Sequence, residues 1–449
     1  MKQLLLSLGG AAVLAAACAH AEFQDRFKPA TAPSIEPWTR SETVAFRNAF
    51  WFDGRRFERQ AVVYTKDGRI VGARTPGRVD RVVDLSGRYV IPPLGDAHTH
   101  VFDGPFRFQQ QRAKYLTEGV FYALTTTAPA SGVTKIRSEF AGPTNVDVVN
   151  AQAGFTGPKS HPAEIYNAYA LGVFDWREQH RQFERLRSSS AAADDAFFVV
   201  RNESELAQKW RLVELRRPDM IKVFLRSSER FHPEGPSNLA DGGIDPKLLP
   251  VIVRRAHAAG LRVAVANSSV IDFQATLAAR GDMVTHLPCY QSGGIGPYQE
   301  LFPDTDATCM VSPADARRAA RQGVVSTLIT SEWAKDDRSP DAIRREVANI
   351  RTLQRAGAKI ALGSDAYGDT PVAGLIAASS KGPFSRWQLL RWATVETPQA
   401  IFPGRKVGCL QAGCEASFLV LKSNPTKNMT ALRDISTRVK DGLLLRTTR

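Results

Sequence analysis

Apolar and polar positions along this 449-residue chain change rhythm twice. Residues 41–90 read as short strands in "TVAFRNAFWFDG", "AVVYTKDGRIVGA" and "RVVDLSGRYV", and the dipeptide Asp67-Gly68 between apolar runs is a hairpin signal. Near the other end "EASFLVLKSN" and "STRVKDGLLLRT" repeat the pattern around Asp441-Gly442. From about 91 to 403, strand-like and helix-like segments alternate. The strand candidates are the apolar run that leads into "DAHTH", then "FYALTTT", "VDVVNAQ", "MIKVFL", "LRVAVAN", "DMVTHLP", "VVSTLI" and "KIALGSD". "DPKLLPVIVRRAHAAG" and "SPDAIRREVANIRTLQRAG" are helical candidates between them. Eight such units predict an α/β fold, a TIM (β/α)8 barrel with insertions, over 91–403. The flanks, 22–90 and 404–449, predict a small β-sandwich assembled from both chain ends.

Residues 1–21 have the form of a secretory signal: Lys2, an apolar stretch Leu4–Ala17, and Ala19-His20-Ala21 as a cleavage site. The expectation is an exported, periplasmic protein. The run is short for a membrane span. Ala15-Ala16-Ala17-Cys18 also offers a lipidation site, ranked second because Leu14 stands four rather than three residues before Cys18; a membrane is an expected partner only through that lipid. Behind the signal remain Cys289, Cys309, Cys409 and Cys414. An oxidising compartment permits disulfides, with Cys289/Cys309 and Cys409/Cys414 nearest in sequence. Four cysteines allow three connectivities, and free buried thiols stay open as the alternative.

Composition is that of an ordinary globular protein, with 43% hydrophobic and 23% charged residues. The net charge of +14 favours anionic partners in principle. Its basic residues are interleaved with acids, as in "REQHRQFERLR", and no recognition motif accompanies them, so nucleic acid is not an expected partner. A small-molecule substrate is.

Chemistry gathers at predicted strand ends. His98 and His100 are two apart on an extended segment, so both imidazoles point to one side and reach one metal ion. Lys222 stands between Ile221 and Val223 on a buried strand, where a charge needs a partner or must be lost. Carbamylation, which turns the amine into a bridging carboxylate, is one solution; an acid inside the barrel is the other. His286 ends the sixth strand and Asp365 the eighth. Asp365 serves either as a helix N-cap or as a third ligand and proton acceptor. Imidazoles and carboxylates without cysteine suit zinc, manganese or iron. His161, Tyr290 and Arg226 lie near the same ends and are candidate substrate-binding residues, each balanced by an ordinary structural role.

These residues in this order resemble the amidohydrolase superfamily of metal-dependent hydrolases. "AGFTGPKSHPAEIY", "RRAHAAGLRVAV", "THLP" and "ALGSDA" are similar to its imidazolonepropionase- and Xaa-Pro dipeptidase-related branch. The resemblance implies metal ligation by His98, His100, Lys222 as its carbamate, His286 and Asp365, with one or two divalent ions, zinc foremost. It implies hydrolysis of an amide, cyclic amide or related carbonyl bond by metal-activated water, at carbon–nitrogen bonds other than peptide or dipeptide bonds. Asp365 is then the catalytic proton acceptor and Tyr290 a donor toward the developing oxyanion. One position departs from the pattern: where the branch carries a metal-binding histidine on strand five, this chain has Ala266, followed by Asn267 and Ser268. His257, upstream in a helix, is not expected to replace it. A weakened second site, a one-metal enzyme, and a catalytically impaired small-molecule binding protein are the readings that Ala266 leaves open. Substrate and oligomeric state are not legible.

Overall fold

The alternating runs at the two chain ends find each other. In the computed structural model, which describes residues 33–74, 76–236, 242–288, 290, 309–335 and 339–447, Phe418–Leu421 from the C-terminal flank pairs antiparallel with Tyr89–Ile91 from the N-terminal flank. Both flanks thereby enter one nine-stranded sheet. The expected sandwich is thus a single hydrogen-bonded sheet rather than two separate ones, because that central pair joins the N-terminal and C-terminal hairpins edge to edge. Its apolar side packs Trp38, Phe46, Trp51 and Phe418. Both Asp-Gly turns form, with positive φ at Asp67, Gly68, Asp441 and Gly442. They meet: a side chain on Gly442 would come within 3.0 Å of the Gly68 Cα. The Cys409–Cys414 disulfide lies in the C-terminal flank. Cys309 is disulfide-bonded as well; Cys289, its expected partner, lies outside the described residues, as do the predicted signal 1–21 and Cys18. Among the described residues no helix is long and apolar enough to cross a membrane.

All eight predicted barrel strands form: β1 (Leu94–Thr99), β2 (Val120–Thr125), β3 (Asp147–Asn150), β4 (Met220–Phe224), β5 (Arg262–Ala266), β6 (Met283–Val284), β7 (Val325–Ile329) and β8 (Lys359–Gly363). Most are buried along their whole length, as expected of parallel strands covered on both faces. Between β3 and β4, the three-residue strands Gly154–Thr156 and Phe197–Val199 also pair in parallel. The strand ladders form two arcs: β1-β2-β3, and a seven-stranded sheet that runs from Phe197–Val199 through Gly154–Thr156 and β4 to β8.

Where one closed ring was expected, ladder pairing among the described residues stops at two seams, for local reasons. At β1 the register shifts twice against β2, and the link to β8 is carried by Asp365 N–H donating to the His98 carbonyl (2.7 Å) and His100 N–H donating to the Ala366 carbonyl (3.0 Å). At β3 the Asp219 N–H donates to the Asn150 carbonyl (3.0 Å), and the Asn150 N–H donates to the Asp219 carboxylate (2.9 Å). The predicted helices follow their strands. Pro340–Arg355 is capped by Ser339, with proline in its first turn. "DPKLLPVIVRRAHAAG" splits into a 3-10 turn, Pro246–Leu248, and an α-helix, Leu249–Ala258.

Candidate metal centre

β1 and β8 end side by side, and three side chains converge there. The ligand atoms of His98, His100 and Asp365 all lie within 4.8 Å of one another. Asp365 Oδ1 is 3.3 Å from His98 Nε2 and 3.2 Å from His100 Nε2. Asp365 adopts a left-handed φ of 51°, a conformation Asp tolerates better than most residues, just where the chain turns out of β8. Gly363 permits the approach: a Cβ there would lie 2.5 Å from the His98 Cβ.

The hydrogen bonds around His98 fix what its ring presents. His98 Nδ1 is 3.0 Å from the Thr285 backbone oxygen. A carbonyl can only accept, so Nδ1 carries the hydrogen and Nε2 offers a lone pair to the Asp365 carboxylate. Two acceptors facing each other across 3.3 Å require a positive charge between them. Burial drives the His98 pKa well below that of ordinary histidine, which disfavours a proton as that charge. Burial opposes ionisation of Asp365 too, but a positive charge at His98, a place the cation would take over, and hydrogen bonds from His100 and His286 outweigh it and hold the carboxyl well below the usual range. The three residues therefore fit a divalent cation, with imidazole and carboxylate donors of the kind zinc, manganese or iron accept.

The surrounding shell contains residues that the sequence alone did not single out. Asp96, fully buried, accepts from Ser364 N–H (2.9 Å), Ser364 O–H (2.7 Å), Tyr115 O–H (2.9 Å) and His98 N–H (3.2 Å), which ties β1 to β8 behind the ligands. Burial pushes its pKa up to about 6. Thr285 works twice: its carbonyl orients His98, and its hydroxyl accepts from Lys222 Nζ at 2.8 Å. Tyr367 stacks on His100, with ring centroids 4.6 Å apart.

The other predicted residues lie around this centre. His286 Nε2 is 3.6 Å from Asp365 Oδ2, and its ring is sandwiched between His98 (4.8 Å) and Tyr290 (4.1 Å). Lys222 is buried, 5.2 Å from the centre of the Phe224 ring, and burial lowers its pKa to about 7. Ala266 pairs in register with Phe224 and is buried, but its methyl offers no ligand. The Asn267 carboxamide oxygen accepts from Thr276 O–H at 3.3 Å and so is directed toward the following helix. His257 is exposed and bonded to Asp282 (2.9 Å). His161 bonds Glu164 through Nδ1 (2.6 Å) and sets its ring edge-on to Phe224 (5.3 Å), with a pKa lowered by burial. Arg226, with φ 50°, is an electrostatic neighbour of His161, Lys222 and His286.

Residues 238–444 match the model of the amidohydrolase family. An imidazolonepropionase of Agrobacterium fabrum is 22% identical over 413 residues, covering 87% of this chain and 90% of the relative. The crystal structure of an amidohydrolase superposes with a TM-score of 0.65 at 17% identity, covering 91% of this chain and 99% of the other. A Xaa-Pro dipeptidase with methionine bound in its active site gives 0.62 at 16% identity, covering 91% of this chain and all of the other. These likenesses give the parallel arcs a TIM-barrel-like α/β architecture.

Proposed function

We propose that this chain, whose residues 238–444 match the amidohydrolase family and which resembles an imidazolonepropionase along most of its length, is a one-metal hydrolase of an amide, cyclic amide or related carbonyl bond. The observation that carries the proposal is the pair of facing acceptors, His98 Nε2 and Asp365 Oδ1, in a buried cluster with His100. His98, His100 and Asp365 would hold the ion. A divalent cation there supplies Lewis acidity and makes water a nucleophile near neutral pH.

The chain's own residues supply the rest. Asp365, kept ionised by the positive charge and hydrogen bonds around it, takes the proton of the attacking water and delivers it to the departing nitrogen. His286, 3.6 Å from Asp365, and Tyr290 stacked on it flank the position where the carbonyl oxygen gathers charge; the Tyr290 hydroxyl stays protonated because burial raises its pKa well above that of free tyrosine. Lys222 is spoken for by Thr285. A carbamate formed on Lys222 would join His286 without a strand-five ligand, since Ala266 contributes none, so the residues support one ion better than two.

Metal analysis of protein purified without chelators is expected to show about one divalent ion per chain, lost in His98→Ala, together with turnover of one member of a panel of N-acyl amino acids, Xaa-Pro dipeptides, lactams and esters. No bound metal after supplementation with zinc and bicarbonate overturns the reading. Ala266 also favours a second reading, a small-molecule binder of impaired activity. A joint rise in metal content and hydrolysis in Ala266→His would support that one.

A further inference from the structure

A line of aromatic rings leads from the metal centre to solvent. Tyr367 stacks on the ligand His100 at 4.6 Å with ring planes 11° apart. Tyr169 meets Tyr367 edge-on at 6.1 Å, and Phe174 stacks on Tyr169 at 6.2 Å. Tyr166 closes the inner side, edge-on to Tyr169, and its hydroxyl is fixed by a 2.8 Å bond to the Thr127 carbonyl. The line has apolar faces to offer: Tyr367 is 42% and Phe174 73% exposed, and both adjoin Tyr169. Asp103 stands beside it. Its electrostatic neighbours include His100, Tyr166, Tyr169 and Tyr367.

We propose that Tyr367, Tyr169 and Phe174 form a substrate subsite for a flat aromatic group that carries no negative charge, placed directly beside the scissile bond. The geometry follows from continuity: the first ring of the line touches a metal ligand, so a group lying along it is adjacent to the reacting carbonyl. Offset and edge-on ring contacts favour an aryl group over a saturated ring of equal size. The carboxylate of Asp103, an electrostatic neighbour of these rings, repels an anion and tolerates a neutral or cationic substituent. This inference names the substrate class for the hydrolase proposed above and rests on that reading for its role in turnover, though not for binding.

Binding to chelator-treated, full-length protein, where no hydrolysis intervenes, separates the two. Calorimetric titration with benzamide, cyclohexanecarboxamide and 4-carboxybenzamide is expected to show benzamide binding about threefold to tenfold more tightly than either of the others. Tyr169→Ala and Phe174→Ala are each expected to remove most of that preference while leaving zinc uptake unchanged. Asp103→Asn is expected to restore binding of 4-carboxybenzamide. Equal binding of the three amides, or a benzamide preference that survives both ring deletions, overturns the subsite. Retained benzamide preference without metal uptake or hydrolysis keeps the subsite and sinks the hydrolase reading instead.

Discussion

Asp103 sits three residues past His100 in a loop, and burial pushes its carboxyl up to about 6 against a small opposing pull from His100. The direction sets a pH dependence. Below about pH 4 the group is neutral in folded and unfolded chains alike and changes nothing. Between about 4 and 6 the unfolded chain ionises while the folded one resists, so wild type loses stability as pH rises through that window. Asp103→Asn has no such loss. In chelator-treated protein the variant should match wild type near pH 4 and exceed it by about 1–3 kcal/mol above pH 7, read as the shift in denaturant midpoint at both pH values. Equal midpoints at both would show that Asp103 is better solvated than its surroundings imply. At this scale the sequence carried part of the site. His98, His100 and Asp365 announce themselves by spacing and strand-end position. Asp96, Thr285 and Tyr367 do not, because their value lies in partners far away in the chain: Asp96 with Ser364, Thr285 with both His98 and Lys222, and Tyr367 with His100.

β8 shows how a strand positions chemistry without contributing a polar atom along most of its length. Gly363 is its last residue, and an added Cβ would lie 2.5 Å from the His98 Cβ, 2.9 Å from the His98 nitrogen and 3.0 Å from Thr327. The first two of these are β1 atoms that cannot swing away, so Gly363→Ala must separate β1 from β8. The expected result is a loss of about 1–3 kcal/mol of stability together with a metal affinity at least tenfold weaker, since the ligand atoms come from both strands. Calorimetric zinc titration beside thermal melts checks it; a melt that falls without any change in zinc affinity would mean that the site tolerates the displacement. The eight strands were legible as elements because each is an apolar run between helical segments. The short strands Gly154–Thr156 and Phe197–Val199 were not, since three residues carry too little periodicity to distinguish a strand from a loop. The two seams were also hidden, because they depend on a shifted register in β1 and on an Asp219 carboxylate that bonds a backbone N–H.

The flanking sheet and the parallel arcs are joined by ionic as well as apolar contacts. Lys440, on the strand Ile435–Lys440 of the flank, is fully buried and donates to the Asp147 carboxylate on β3 at 2.7 Å and to the Gly142 carbonyl at 2.8 Å. Arg405 reaches the same Asp147 at 2.8 Å and Glu415 at 2.6 Å. Arg438 of the flank donates to the carbonyls of Leu116 and Thr117, which end the helix Phe108–Thr117 next to β2. Such a pair adds little over a well-packed apolar contact while intact, yet removing one partner leaves the other charged and buried. Asp147→Ala leaves Lys440 with the Gly142 carbonyl and with Asp441 at 3.7 Å, too little to offset its lost hydration. The variant should therefore lose about 3 kcal/mol, measurable as a lower denaturant midpoint. Zinc uptake should stay near wild type, because Asp147 opens β3 at the end away from the ligands. A midpoint unchanged from wild type would mean that the flank is held by apolar packing alone, with Lys440 able to turn toward Asp441 or solvent.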